Sequence, residues 1–327
     1  MSDRRAFLGV VASAVISAPF SAFAQQQPSD PRRIGFLGSE SGSNQAQRLE
    51  ALRAGLRDLG YVEGKNIVIE IRWAEGNYDR LPALAAELVG LKVAVIVTSG
   101  AKANIAMARA TTTIPIVAVR SSQPTGQQGV ITNLARPGGN ITGVTGFGSE
   151  LTAKRLELLR EAVPRITNVA FLVNPADPPS YLGALELVAK ALKLELRQYE
   201  ARSPGQFDST IAEMVQRRAD AIIVQGDTMF TVNAKAVGDL AIKHRLPSAG
   251  IPEYAEAGGM IGSGADLIEA HRRAAVYVDK ILKGANPGDL PIEQATKFQV
   301  VVNLKTAKAL GLMIPQPLIL RADYVIK

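Results

Sequence analysis

The chain has 327 residues, 47% hydrophobic and 20% charged, with a formal net charge of +7 and no cysteine. That length is large for one core and points to two lobes, while the composition is ordinary for a globular protein. The missing cysteine excludes disulfides, thiolate metal sites, a cysteine nucleophile and a lipidated N-terminal cysteine. Basic residues are dispersed, with no run longer than pairs such as Arg32-Arg33, Arg217-Arg218 and Arg272-Arg273. The charge therefore reads as a solvated surface, and no nucleic acid is expected as a partner.

The chain opens with Asp3-Arg4-Arg5, the apolar stretch Ala6–Ala18 and then Ala22-Phe23-Ala24 before three Gln. A basic start, a short apolar region and an A-x-A site describe a secretory signal peptide. Arg4-Arg5 followed by Phe7-Leu8 gives it a twin-arginine character. The rival reading, an uncleaved anchor, needs about 20 predominantly apolar residues, and this run is rich in Ser, Ala and Gln. Residues 1–24 are expected to be cleaved after Ala24, leaving no membrane span and placing the mature chain in the bacterial periplasm.

From Arg32 onward, short apolar runs alternate with amphipathic segments. Strand Arg33–Leu37 precedes helix Gln45–Leu59, in which Leu49, Leu52, Leu56 and Leu59 have helical spacing and Gly60 is the C-cap. Strand Ile67–Trp73, a helix capped by Asn77 and running through Leu91, strand Val93–Thr98, helix Lys102–Ala110 and strand Ile114–Val119 follow. Asn133–Gly148 then has β-type ends around Pro137-Gly138-Gly139-Asn140, residues suited to a tight turn. We read it as a crossover, because the pattern restarts beyond it. The second series is helix Thr152–Ala162, strand Asn168–Val173, helix Tyr181–Leu192, strand Leu194–Glu200, helix Phe207–Arg217 and strand Ala221–Val224. Ile67 and Leu194, like Ala94 and Ala221, are 127 residues apart, the mark of two lobes of like topology. Helix Val232–Arg245, strand Pro247–Ile251, a second crossover over Glu253–Gly264, helix Leu267–Leu282, linker Ala285–Pro291, strand Phe298–Asn303 and helix Thr306–Leu310 complete the chain.

Continuous apolar strands separated by helices imply an α/β fold of two similar lobes, each a parallel-type sheet covered by helices on both faces. The expected boundaries are 32–145 plus about 253–285 for the N-terminal lobe, and 146–252 plus about 286–327 for the C-terminal lobe. Ligands of such sheets bind beyond the carboxyl ends of the strands. Here those ends are the small polar loops Gly38–Ser43, Ser99–Lys102, Arg120–Gln123, Asn174–Tyr181 and Gln225–Thr228. Candidate ligand contacts by loop position are Ser39, Ser99, Gly100, Ser122 and Gln123 from the first lobe. Asn174, Tyr181, Gln225 and Asp227 come from the second, and Glu253 from the crossover.

No H-E-x-x-H, G-x-S-x-G or G-x-x-x-x-G-K-[ST] occurs, and Gly146-Phe-Gly148 fails as a dinucleotide fingerprint because Leu151 occupies the third glycine position. The two histidines, His244 and His271, fall on helices rich in Arg and Lys and read as surface residues. Without His or Cys clusters no metal or cofactor is expected. Glu253 and Glu256, three apart near Gly258-Gly259, read as solvating a turn. Nothing forms a catalytic set, so an enzyme is not expected.

Several motifs carry a resemblance: Gly55-Leu-Arg-Asp-Leu-Gly-Tyr-Val-Glu-Gly-Lys-Asn66, Trp73-Ala-Glu-Gly-Asn-Tyr-Asp-Arg-Leu-Pro82 and Leu134-Ala-Arg-Pro-Gly-Gly-Asn-Ile-Thr-Gly143. Lys154-Arg-Leu-Glu-Leu-Leu159, Tyr277-Val-Asp-Lys-Ile-Leu-Lys-Gly284 and Asn303-Leu-Lys-Thr-Ala-Lys-Ala-Leu-Gly-Leu312 extend it. From about Arg32 to Lys327 the chain resembles ABC-transporter substrate-binding proteins of the tryptophan/tyrosine type, with a type I periplasmic-binding-protein fold. The resemblance implies a monomer of two lobes joined by about three strands. It also implies a small organic ligand (an amino acid, aromatic or related carboxylate compound) in the cleft, and hinge closure that presents the protein to a membrane permease and its ATPase. The alternative partner is a membrane receptor, with the protein as a periplasmic sensing module. Relatives often read Gly-Asp-Pro where this chain has Ser122-Gln123-Pro124, and the neutral Gln123 would not pair a ligand ammonium. Asp227 is the candidate replacement anion.

Overall fold

A computed structural model describes residues 31–121, 133–145, 148–179 and 181–327. The expected signal peptide, Ser122 and Gln123 lie outside the described residues. The first sheet begins with β1 (Arg32–Gly38), α1 (Gly42–Asp58), β2 (Ile67–Trp73), α2 (Leu81–Gly90), β3 (Val95–Ser99), α3 (Ala101–Ala110), β4 (Ile116–Ser121) and β5 (Ile141–Thr145). The chain then enters the second sheet through α4 (Gly148–Ala162), β6 (Asn168–Val173), α5 (Leu182–Ala191), β7 (Glu195–Glu200), α6 (Phe207–Gln216) and β8 (Ala221–Val224). It continues with α7 (Thr228–Val232), α8 (Ala234–Lys243), β9 (Ser248–Gly250), α9 (Pro252–Glu256) and β10 (Ile261–Ala265). Helix α10 (Leu267–Leu282) and β11 (Glu293–Gln294) return to the first sheet. The remaining elements, β12 (Phe298–Asn303), α11 (Leu304–Ala309), α12 (Gln316–Arg321) and β13 (Tyr324–Ile326), finish the second.

Among the described residues the strand orders are β11-β5-β4-β3-β1-β2 and β13-β12-β10-β9-β8-β6-β7. Every neighbouring pair is parallel except β10 with β12. Parallel pairing calls for crossover connections, here helices that bury both sheet faces, which is why inner strands such as β3, β6 and β8 are near-continuous apolar runs. On one face of the first sheet, Ile34, Phe36, Val95 and Val97 pack with Leu49, Leu52 and Leu56 of α1 and with Ala274, Ala275 and Val278 of α10. On the other, Leu37, Ile96 and Ile116 meet Leu81, Leu84 and Leu88 of α2 and Met107 of α3. The second sheet repeats the arrangement: Phe171 and Ile223 pack with Leu156 and Leu159 of α4. Its opposite face sets Leu172 and Val224 against Ile211, Val237 and Tyr254. Each fully buried Leu, Ile, Val, Phe or Met among them contributes about 1.5–3 kcal/mol relative to exposure.

Two expectations need correction. Glu253–Gly264 holds α9 and β10, and β10 pairs with β9 and β12, which places Ile261–Ala265 with the second sheet rather than the first. The helix expected over Val232–Arg245 is α8, and a short additional helix, α7, precedes it, capped by Asp227 accepting from the Met229 amide. His271 is not on the surface: it is fully buried on the inner stripe of α10 with Ala270, Ala274, Ala275 and Val278.

Candidate functional site

The loops at the carboxyl ends of the strands face each other across the gap between the sheets. On the first lobe, Ser39 follows β1 and its amide donates to the Ser99 carbonyl at 3.1 Å. Ser39 is 0% exposed, and its hydroxyl has no hydrogen-bond partner among the described residues. Gly100 follows β3 with φ of 112°, and a Cβ there would stand 2.6 Å from Ser39 Oγ. Only glycine allows that approach. Ser99 is buried, with its Oγ 3.1 Å from His271 Nε2, while His271 Nδ1 is 2.7 Å from the Leu267 carbonyl oxygen. A carbonyl only accepts, so Nδ1 carries the proton and Nε2 accepts from the Ser99 hydroxyl.

On the second lobe, Asn174, Gln225 and Asp227 form one network. Gln225 Oε1 accepts from the Asn174 amide at 2.8 Å, and its Nε2 donates to the Asp177 carbonyl at 2.7 Å. Asn174 Nδ2 donates to Asp227 Oδ1 at 3.0 Å, and the Met229 amide reaches the same oxygen at 2.9 Å. Tyr181 is on the same wall, its hydroxyl 3.4 Å from Thr152 Oγ1. Burial pushes the Tyr181 phenol above its ordinary pKa.

Tyr78, Lys102 and Arg48 of the first lobe each reach the second. Tyr78 OH donates to Asp227 Oδ2 at 2.5 Å. Burial, then the Asp227 charge, push the Tyr78 pKa up, so the phenol keeps its proton. Lys102 Nζ lies 2.6 Å from the Ala176 carbonyl and 3.0 Å from Asp177 Oδ1. Arg48 of α1 pairs with Glu40 at 3.1 Å and with Glu253 of α9. Burial works against the Arg48 charge, and Glu253 and Glu40 outweigh it, so its pKa is raised. Glu253, expected to solvate a turn, thus meets the other lobe. Tyr78, Gly100, Ala101, Lys102, Asp177, Gly226, Asp227 and Thr228 line a small pocket between the lobes.

The structure therefore gathers Ser39, Ser99 and Gly100 on one wall and Asn174, Tyr181, Gln225 and Asp227 on the other. Sequence reasoning missed Tyr78 and Arg48, and it placed Lys102 and Asp177 in cleft loops without singling them out. The loop after Trp73, which carries Tyr78, also leaves the carboxyl end of a strand, and that position was the available signal. No group of His, Cys, Asp and Glu that could hold a metal occurs among the described residues. No helix among them is long and apolar enough to cross a membrane.

Two helix-covered parallel-type sheets with polar loops facing across a cleft define the class of type I periplasmic-binding-protein-like folds. The sequence model described as ABC transporter substrate binding protein matches residues 40–326, and the chain belongs to that family. It is similar to a tyrosine-binding protein of Clostridioides difficile, 24% identical over 79% of this chain and 74% of the relative. A crystal structure of a conserved domain protein from Vibrio cholerae is 26% identical with a TM-score of 0.84, covering 90% of this chain and 99% of that one. A Streptococcus structure described as an ABC domain in complex with L-Trp is 23% identical. Its TM-score is 0.84, with 90% of this chain and 100% of that one covered.

Proposed function

We propose that the protein is exported to the periplasm, captures a small organic solute between its lobes by hinge closure, and delivers it to an ABC permease with its ATPase, without chemical turnover. The observation that carries this reading is the cleft itself: buried polar groups from two separate sheets meet there, as Tyr78 does with Asp227. Contacts made only when the lobes come together let a ligand shift an open–closed equilibrium. Tyrosine in the name of one relative and L-Trp in another's complex support an amino acid or related aromatic compound as the ligand class. The proposed contacts are Ser39, Ser99, Gly100 and Tyr181, with Ser122 and Gln123 from the loop beyond β4. Asn174 and Gln225 set the second wall, and Glu253 closes it on Arg48. The carboxylate of Asp227 has Tyr78, Asn174 and the Met229 amide as partners, which supports a part in closure over the pairing of a ligand ammonium.

A thermal-shift screen of the chain beginning at Gln25 tests the reading, using aromatic and other amino acids, aromatic acids, sugars and nucleobases. A ligand at about 100 times its dissociation constant adds about 2.7 kcal/mol of stability, a shift of a few degrees for a chain this long. The expected result is a stabilising compound that mass spectrometry recovers unchanged. Conversion of that compound, or uptake by cells that is unaffected by deleting the gene, would overturn the proposal.

A further inference from the structure

Fully buried polar side chains normally find hydrogen-bond partners, and each exception asks for a physical reason. Two exceptions flank the end of β1. Among the described residues Ser39 Oγ has no partner, and neither Nε2 nor Oε1 of Gln45 has one, although Gln45 is 1% exposed. Gln45 is on the first turn of α1, where its Oε1 would stand 3.2 Å from a Cβ placed on Gly38, the residue before Ser39. Both residues are buried directly behind groups that face the other lobe. Ser39 abuts Gly100, whose Cβ position is 3.9 Å from Thr228 Oγ1 of the opposite lobe, and Gln45 is one turn before Arg48, which reaches Glu253 across the gap. The ring of Trp73 closes the far side, packed against Gly38 and Gly42.

We infer that the Ser39 hydroxyl and the Gln45 carboxamide form a ligand subsite that takes an uncharged group able both to donate and to accept a hydrogen bond, a hydroxyl or a carboxamide. The inference rests on the solute-binding reading and narrows its ligand. Gln45 offers one donor and one acceptor side by side. A carboxylate offers only acceptors and would set an anion against Oε1. An ammonium offers only donors and would leave Nε2 without a partner. A neutral donor–acceptor group satisfies all three atoms, and a site built this way rejects analogues that lack the group.

The test combines ligand-free stability with matched probes. Removing an unpartnered buried polar group is neutral or stabilising, whereas removing a partnered one is costly. Gln45→Leu and Ser39→Ala are therefore expected to unfold at the same Tm as wild type or higher in the absence of added ligand. The probes are L-tyrosine against L-phenylalanine and nicotinamide against nicotinate, read by calorimetry. Wild type is expected to favour the neutral donor–acceptor member of at least one pair by about tenfold or more, and Gln45→Leu to erase that preference. A marked fall in Tm of the ligand-free variants would make these residues structural and overturn the assignment. So would a wild type that discriminates neither pair, or a preference that survives Gln45→Leu. If only charged compounds such as nicotinate bind, the subsite fails while the solute-binding reading stands. If no solute binds in the wider screen, both fail together.

Discussion

The Nδ1 proton of His271, fixed by the Leu267 carbonyl, makes this side chain an acceptor for Ser99 at the end of a cleft strand. The ring also lies 6.4 Å from that of Phe36, so it fills core volume as well as making hydrogen bonds. His271→Ala should cost about 2–4 kcal/mol, a cavity plus two lost hydrogen bonds. A surface histidine would change stability by less than about 0.5 kcal/mol, and urea unfolding separates the two. Asp220 shows a different balance. Burial works against its charge, yet the Thr167 and Asn168 amides at 2.8 and 2.9 Å and the Thr167 hydroxyl at 3.0 Å outweigh burial and hold its pKa below the ordinary value. A carboxylate depressed on folding contributes stability that is fully present above the unfolded pKa and is lost as pH falls through the folded one. The window therefore lies below about pH 4. Asp220→Asn should be less stable than wild type at neutral pH, with the gap closing on acidification below that value. Urea midpoints at pH 7, 4 and 3 check this, and a gap independent of pH would remove the carboxylate from the account.

At the scale of elements, the pairing of α1 with α10 decides what the first lobe buries. Gly55 faces α10 so closely that a Cβ would stand 2.7 Å from the Arg272 carbonyl oxygen and 2.8 Å from Ala275 Cβ. Gly55→Ala gains about 1 kcal/mol of helix propensity, but the clash is with backbone that cannot rotate aside, and overpacking costs about 1–3 kcal/mol. The clash should win, so a lower Tm is expected; a rise would show that the two helices can slide apart freely. The same contact explains what was legible in the chain. Strands Ile67–Trp73, Asn168–Val173, Ala221–Val224 and Phe298–Asn303 and helix Leu267–Leu282 coincide with the elements expected from apolar period and flanking polar residues. The burial of His271 was also readable, since it falls on the stripe of Ala274, Ala275 and Val278. Its Arg and Lys neighbours belong to the other face of the helix. What could not be read was partner choice across the cleft. Tyr78 and Asp227 are 149 residues apart, and no local pattern records that a tyrosine after β2 will meet the cap of α7.

For the whole molecule, that pair sets how the lobes meet. Asp227 does three things at once: it caps α7, holds Asn174, and accepts from Tyr78 of the other lobe. The first two lie within the second lobe, and only the Tyr78 bond crosses to the first. Tyr78→Phe therefore removes a closure contact while leaving both lobes folded. A hydrogen bond to a charged group is worth about 1.5–3 kcal/mol; the two remaining donors on Asp227 pull this variant towards the lower end, roughly a tenfold loss of closed population. Lys102 with Asp177 is a weaker latch, since their side chains are 21% and 24% exposed and water screens them. Tyr78→Phe should enlarge the radius of gyration of the ligand-free protein in small-angle scattering more than Lys102→Met does. The lysine variant should weaken the salt dependence of that opening, which Tyr78→Phe leaves in place, while the Arg48–Glu253 pair keeps part of it. For any solute that closes the cleft, the lost Tyr78 bond should appear in the dissociation rate, because encounter occurs with the lobes apart and release requires the latch to break. A Tyr78→Phe protein that binds more slowly but releases at the wild-type rate would place this tyrosine on the entry path instead.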